Sequence, residues 1–299
     1  MSHHNISSLS DAQIHELNQR AIDESLQCHV GYSHSLVSAE QPLNLLLQVY
    51  HDNLNFIGEI KWLISESHYS GMYQLKGDGN CFYRAFGFAF IKSLSLSQDR
   101  ASQVRTAEQI ESTFPLLVSN GIDEDITRDF FEPFQSLVRR AIGFQTTSAL
   151  SLHDLLETFN DPEASNSIVM YLRLLTSTHL KLNAAEYEPF LISLNEKGPL
   201  SMNDFCTQEV ESFGKDADHL QITALCRALN TSLEVVYLNG QNNSAMNFNS
   251  MTSSTYNEVI QLIESHPCNI ISFWDEKASH HIGSLLYRPG HYDLLTMKP

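Results

Sequence analysis

Apolar residues recur at three- and four-residue spacing through the first two thirds of the chain, whereas β-branched and aromatic runs separated by turn residues cluster in the last third. The first pattern predicts helices in "LLLQVYHDNLNFIGEIKWLISES" (45–67), from Cys81 onward, and in "LHDLLETFN", "SNSIVMYLRLLTSTHL", "SMNDFCTQEVESF" and "HLQITALCRALN". The second predicts strands in "SLEVVYL", "NIISFW", "HIGSLLYR" and "HYDLLT", preceded much earlier by one short strand in "MYQLKG". Helices therefore largely precede strands, an α+β layout with a helical majority and a small antiparallel sheet.

Two stretches break the pattern. At the start, Ser10 and Gln13 form a capping-box spacing and Ile14, Leu17, Ala21 and Leu26 follow at helical intervals, which predicts an amphipathic helix. The segment after it, "QCHVGYSHSLVSAEQPL", is polar and interrupted by Gly31 and Pro42, as a linker would be. This divides the chain into an arm, 1–44, and a main domain, 45–299. The tract 239–257, "NGQNNSAMNFNSMTSSTYN", is rich in Asn, Ser and Thr and reads as an exposed loop.

Composition narrows the function classes. The 299 residues are 42% hydrophobic, enough for a full core, and no apolar run reaches the roughly 20 residues that a bilayer span needs. The N-terminus lacks the basic and apolar regions of a secretory signal, so the cytosol, with the nucleus as a second compartment, is the expected location. A net charge of −17 disfavours nucleic acid and anionic membranes as partners. Five cysteines, Cys28, Cys81, Cys206, Cys226 and Cys268, are odd in number and contain no CxxC pair, which argues against a disulfide framework and a zinc site. No metal or other cofactor is implied.

One of those cysteines has a distinctive setting. In "GDGNCFYRAF" (77–86) a strand leads into a tight turn and then a helix starting at Cys81, so the sulfur stands at a helix N-terminus, where the dipole favours thiolate. Turn N–H groups converge there to bind an oxyanion, and Asp78 is placed to orient the loop. Phe82, Ala85, Phe86 and Ala89 share the face that anchors this helix. A nucleophilic cysteine needs a base, and His291 in "YRPGHYDLL" has the best context among 14 histidines. Asp293 lies two residues on, hence on the same strand face, and completes a Cys-His-Asp set. The plainer alternatives, a buried turn cysteine and a solvated His and Asp, are each more common when such features occur alone.

Together, the "DGNCFYRAFGF" block, the "SIVMYLRLLTS" helix, "FCTQEVESFGKDADHLQITAL" and "LLYRPGHYDLL" resemble the otubains, the ovarian-tumour-domain cysteine deubiquitinases, from about residue 44 onward. The resemblance implies a papain-like cysteine protease fold of the ovarian-tumour type. It also implies hydrolysis of the isopeptide bond between the ubiquitin C-terminus and lysine, in polyubiquitin of the proteasome-targeting linkage. On it, Cys81 matches the nucleophile, His291 the general base, Asp293 the residue orienting the histidine, and Asp78 the motif aspartate counted with the site. Distal ubiquitin would meet 186–192, 208–215 and 223–235, with Tyr187, Phe190, Val210 and His219 as candidate contacts; core packing is the alternative for the first three. The expected partners are ubiquitin, its chains and ubiquitin-conjugating enzymes, bound by a monomer. The rival roles are a non-catalytic inhibitor of conjugation and a general papain-like peptidase. Gln221 stands where the family often has a histidine, and Thr296 where it has an aromatic residue. A further expectation is that Asp216 or His219 lies over the Cys81 cleft and gates it.

Overall fold

The strand-like runs of the last third form most of a six-stranded sheet in the computed structural model, which describes residues 35–144, 150–191, 200–238, 268–273, 278 and 280–298. Both the arm helix expected around Ser10 to Leu26 and the polar tract 239–257 lie outside the described residues. The strands are β1 (Val37–Pro42), β2 (Tyr69–Leu75), β3 (Thr231–Tyr237), β4 (Asn269–Phe273), β5 (His280–Arg288) and β6 (His291–Met297), in the order β1-β2-β6-β5-β3-β4. Pairing is antiparallel except between β3 and β5, which run parallel, so the expected antiparallel sheet is in fact mixed.

β1 corrects the linker reading of 37–42. It pairs with β2 through Val37↔Leu75 and Pro42↔Gly71, and it belongs to the same sheet as the rest. Only Val37 of its residues is buried, and proline closes it, the composition of an edge strand. An edge needs little apolar content, which is why hydrophobic periodicity passed over it.

Ten α-helices surround the sheet among the described residues: α1 (Leu45–Val49), α2 (Leu54–Ser65), α3 (Cys81–Leu96), α4 (Arg100–Ser119), α5 (Glu124–Ala141), α6 (Leu152–Asn160), α7 (Pro162–Leu182), α8 (Ala184–Leu191), α9 (Met202–Phe205) and α10 (His219–Ala228). Their starts follow local chemistry. Asn53, Asp99 and Asp123 accept first-turn N–H groups, Ser151 makes a capping box with Asp154, and Asp161 caps α7 ahead of Pro162. The segment 201–213, expected as one helix, instead passes from α9 into a π-helical turn, Cys206–Val210, where the Glu211 N–H bonds the Cys206 carbonyl at 2.8 Å.

Strand alternation splits the core in two. Tyr73, Leu75, Val235, Leu285, Tyr292 and Leu294 face α3, α5 and α7, while Met72, Val236, Leu286 and Leu295 face Leu46, Tyr50, Phe56 and Ile60 of the α1–α2 side. α3 is the central helix; twelve of its sixteen residues are buried, including Phe82, Phe86, Phe88 and Phe90. A third cluster joins α8, α9 and the π turn: Leu180, Tyr187, Leu191, Met202, Phe205, Cys206, Val210 and Ala224.

Candidate active site

The loop before α3 is built by its two polar residues and a glycine. Asp78 Oδ1 accepts the Asn80 N–H at 3.0 Å, closing an Asx turn, and the Asn80 amide returns a bond to the Asp78 carbonyl at 3.2 Å. Gly79 sits at φ +73°, a left-handed conformation, with its backbone against Gly214; an added Cβ would lie 1.9 Å from the Gly214 oxygen. The same Asp78 oxygen pairs with Arg84 Nη1 at 3.0 Å, and Arg84 is wholly buried, tied also to Ser165 and Asn166 of α7. Asp78 is therefore an anchor for the loop.

Cys81 opens α3, as the sequence indicates, with 2% of its surface exposed. Here the structure corrects the expected electrostatics. Burial pushes the thiol up to about 12, and the carboxylates of Asp216, Asp293 and Asp78 add to the rise; a hydrogen bond from the Tyr292 main chain opposes it. In this conformation desolvation outweighs the helix dipole, whose effect at a terminus is about 0.3–1 kcal/mol.

The neighbouring strand supplies the rest. A Pro289–Gly290 turn, with Gly290 at φ +71°, sets Arg288 opposite His291 across the β5–β6 ladder. His291 Nε2 lies 2.9 Å from Asp293 Oδ1, the contact expected of two residues on one strand face. That same carboxylate oxygen accepts the Leu75 N–H of β2 at 2.9 Å, and Oδ2 takes Arg288 Nη2 at 2.6 Å. Burial by itself would raise Asp293, but Arg288, His291 and the Leu75 N–H hold its carboxyl well below the usual carboxylate range. Tyr292 points to the other face, its ring edge-on to Phe82 at 5.6 Å and its hydroxyl on the Ala217 carbonyl at 3.3 Å. Arg288 has no part in the sequence reading, although a charged residue inside the apolar run "SLLYRPG" is the mark of a buried, paired group.

Other candidates separate. Tyr187 (3% exposed) and Val210 (0%) lie in the third cluster, so packing accounts for them, whereas Phe190 is 58% exposed. The helical spacing of "AEYEPFL" places both aromatics near one face without telling inside from outside. His219 is the first residue of α10; it bonds Asp218 at 2.9 Å and packs on Tyr237 and Phe273. Gln221 completes the α10 capping box by accepting the Asp218 N–H at 3.2 Å. Thr296 bonds Glu40 at 2.7 Å and Ser70 at 3.1 Å, joining β6 to β1 and β2. Asp216 is the member of "GKDADHLQ" whose charge reaches Cys81, and burial raises its own pKa.

A thiol at the head of a central helix, beside a strand carrying a histidine held by a buried carboxylate, within an α+β framework, is the arrangement of a papain-like cysteine peptidase of the ovarian-tumour type. The family model "Peptidase C65 Otubain" matches residues 31–297, and the chain belongs to the otubain family of cysteine peptidases. It is 33% identical over 263 residues to the OVARIAN TUMOR DOMAIN-containing deubiquitinating enzyme 1 of Arabidopsis thaliana, covering 88% of this chain and 81% of that protein. To Ubiquitin thioesterase OTUB1 of Homo sapiens it is 31% identical over 282 residues, covering 92% and 88% respectively. A solved structure described as a ceOTUB1 ubiquitin aldehyde UBC13~Ub complex superposes with a TM-score of 0.71 at 26% identity, over 94% of this chain and 99% of that one.

Proposed function

We propose that this chain is a thiol-dependent deubiquitinase that hydrolyses the isopeptide bond between the ubiquitin C-terminus and a lysine amine, with Cys81 as nucleophile, His291 as base and Asp293 as its orienting partner. The observation that carries the reading is the His291–Asp293 contact at 2.9 Å on the strand whose next main-chain group bonds the Cys81 thiol. With Nε2 committed to Asp293, Nδ1 is the nitrogen that takes the thiol proton as sulfur attacks the terminal glycine carbonyl. His291 then protonates the departing lysine amine, and finally draws a proton from the water that releases ubiquitin from the thioester. The Asn80 N–H is spent on Asp78, so the Cys81 amide at the first helical position is the donor suited to the oxyanion. A thiol buried and held protonated in the resting state requires substrate to open the loop around Asp216 before attack.

The reading extends to chains of the proteasome-targeting linkage, which a panel of linkage-defined diubiquitins tests; preferential cleavage of another linkage reverses that part. The decisive experiment is reaction with ubiquitin bearing a C-terminal electrophile, followed by mass mapping. The expected adduct is on Cys81 and disappears in Cys81→Ala; cleavage of ubiquitin chains by Cys81→Ala removes the assignment. A second reading, inhibition of conjugation by binding a charged conjugating enzyme, is favoured by the solved relative whose description names UBC13~Ub. It is tested by adding the Cys81→Ala protein to a transfer assay, where undiminished chain synthesis excludes it.

A further inference from the structure

Arg173 lies in the middle of α7, in the apolar run "YLRLL", and none of its surface is exposed. Among the described residues it makes no ion pair within salt-bridge distance. Its guanidinium is instead spent on acceptors from two separate loops. Nη2 donates to the Gly79 carbonyl at 2.8 Å, to Asn80 Oδ1 at 2.8 Å and to the Lys215 carbonyl at 2.6 Å, while Nη1 donates to the Val210 carbonyl at 2.9 Å. The plane also stands 4.4 Å from the centre of the Tyr83 ring, two residues past the thiol in the first turn of α3.

The two loops also touch one another directly beside this hub. Asn80 Oδ1 accepts the Gly214 N–H at 2.9 Å as well as Arg173, and Gly79 touches Gly214 backbone to backbone. The π turn ends at Val210, with its carbonyl on Nη1, so the irregular geometry there delivers an acceptor to the arginine. Burying a guanidinium without a carboxylate against it is costly, and a neutral side chain would fill the same helix position at less expense. Arginine does what no neutral residue does: five N–H donors in a fixed plane set several carbonyls at once. Its charge also lies close enough to Cys81 to favour the thiolate once it forms, in a neighbourhood that also holds Asp78 and Asp216.

We propose that Arg173 is a positioning residue for the Cys81 step: by fixing Gly79 and Asn80 against the 210–215 loop, it sets the peptide groups leading into α3 at the geometry that attack requires. The inference rests on the deubiquitinase reading for its substrate. It does not rest on that reading for its geometry.

The test compares Arg173→Met, Arg173→Lys and Asn80→Ala with the wild-type chain, each checked for folding by circular dichroism. The readouts are kcat and KM on ubiquitin carrying a C-terminal fluorogenic amide, and the rate of Cys81 alkylation by iodoacetamide at pH 8. Arg173→Met is expected to lose at least tenfold in kcat with KM within about twofold, and Arg173→Lys to recover part of that loss, because an ammonium reaches fewer of the four acceptors. A kcat within twofold of wild type, or a loss confined to KM, overturns the proposal. If both arginine variants fail to fold, Asn80→Ala decides, with lowered kcat at constant KM supporting the proposal and unchanged kcat overturning it. If the wild-type chain itself does not turn over the ubiquitin substrate, the deubiquitinase reading falls. Alkylation then judges the geometry alone: a change of threefold or more in Arg173→Met supports the positioning role, and an unchanged rate removes it.

Discussion

Replacing Arg288 by methionine isolates the ion pair behind the proposed base. Both side chains are almost wholly buried, with 1% and 0% of their surface exposed, and Nη2 to Oδ2 is 2.6 Å. Removing one partner of such a pair leaves an uncompensated charge and costs about 3–5 kcal/mol. At roughly 2–4 °C per kcal/mol for a domain of this size, the thermal midpoint at pH 7.5 falls by about 6–20 °C. The pH dependence follows from Asp293, whose carboxyl is depressed in the folded state chiefly by Arg288 against the opposing effect of burial. A depressed carboxyl contributes stability that is present above its unfolded pKa and lost as pH falls through the folded one. Without Arg288 the folded pKa rises, so the variant takes up its proton at higher pH, and the deficit is largest at neutral pH and shrinks toward acid. Thermal unfolding of wild type, Arg288→Met, Asp293→Asn and the double variant, each between pH 4 and 8, checks this. In the Asp293→Asn background the methionine substitution should cost far less, since no carboxylate remains to be orphaned. A loss below 1 kcal/mol in the single variant, or the same loss in both backgrounds, would refute the reasoning.

Three further outcomes are expected. A thiol pushed up to about 12 by burial is thiolate at only about one part in 10⁴ to 10⁵ at neutral pH, so alkylation of Cys81 in the ligand-free chain should be slow and still accelerating at pH 9; a plateau below pH 7 contradicts the closed resting site. Gly79→Ala places a side chain at positive φ and drives its Cβ into the Gly214 carbonyl, so activity on ubiquitin conjugates should fall at least 100-fold with the core intact by circular dichroism; wild-type turnover rules out the close contact. Tyr187→Ala should destabilise by roughly 3 kcal/mol or more because it empties the third cluster, while Phe190→Ala should stay within about 0.5 kcal/mol and raise KM if that exposed ring meets ubiquitin. Parallel unfolding and kinetic measurements on the two variants separate them.

The parts of the site written in short local patterns were legible in the sequence. Gly77 to Cys81 is a turn feeding a helix, and His291 and Asp293 share a strand face by parity, so both halves follow from spacing alone. Long-range partners were less legible. Leu75 donates to Asp293 across 218 residues of chain, and nothing in "MYQLKG" foretells it. The depressed thiol pKa expected at Cys81 failed because the helix-dipole argument assumes solvent at the terminus, and α3 starts inside the protein. The buried arginines do leave a signal in the sequence. Arg84, Arg173 and Arg288 each interrupt an apolar run, "CFYRAF", "YLRLL" and "LLYRPG", and each proves to be fully buried and to hold the loop or strand beside the thiol or the histidine.

The position of β6 bears on how the molecule comes into being. It lies between β2 and β5 and is the last described strand to leave the ribosome, yet it joins the half of the sheet made early, β1 and β2, to the half made late. Loop-closure entropy must be met before that distant pairing is rewarded, which favours slow, late consolidation. A nascent chain lacking β6 has its cysteine but neither His291 nor Asp293 nor a continuous sheet. The strand that carries the proposed base is thus also the one that closes the described sheet, so the His291–Asp293 pair and the continuity of the sheet depend on the same pairing.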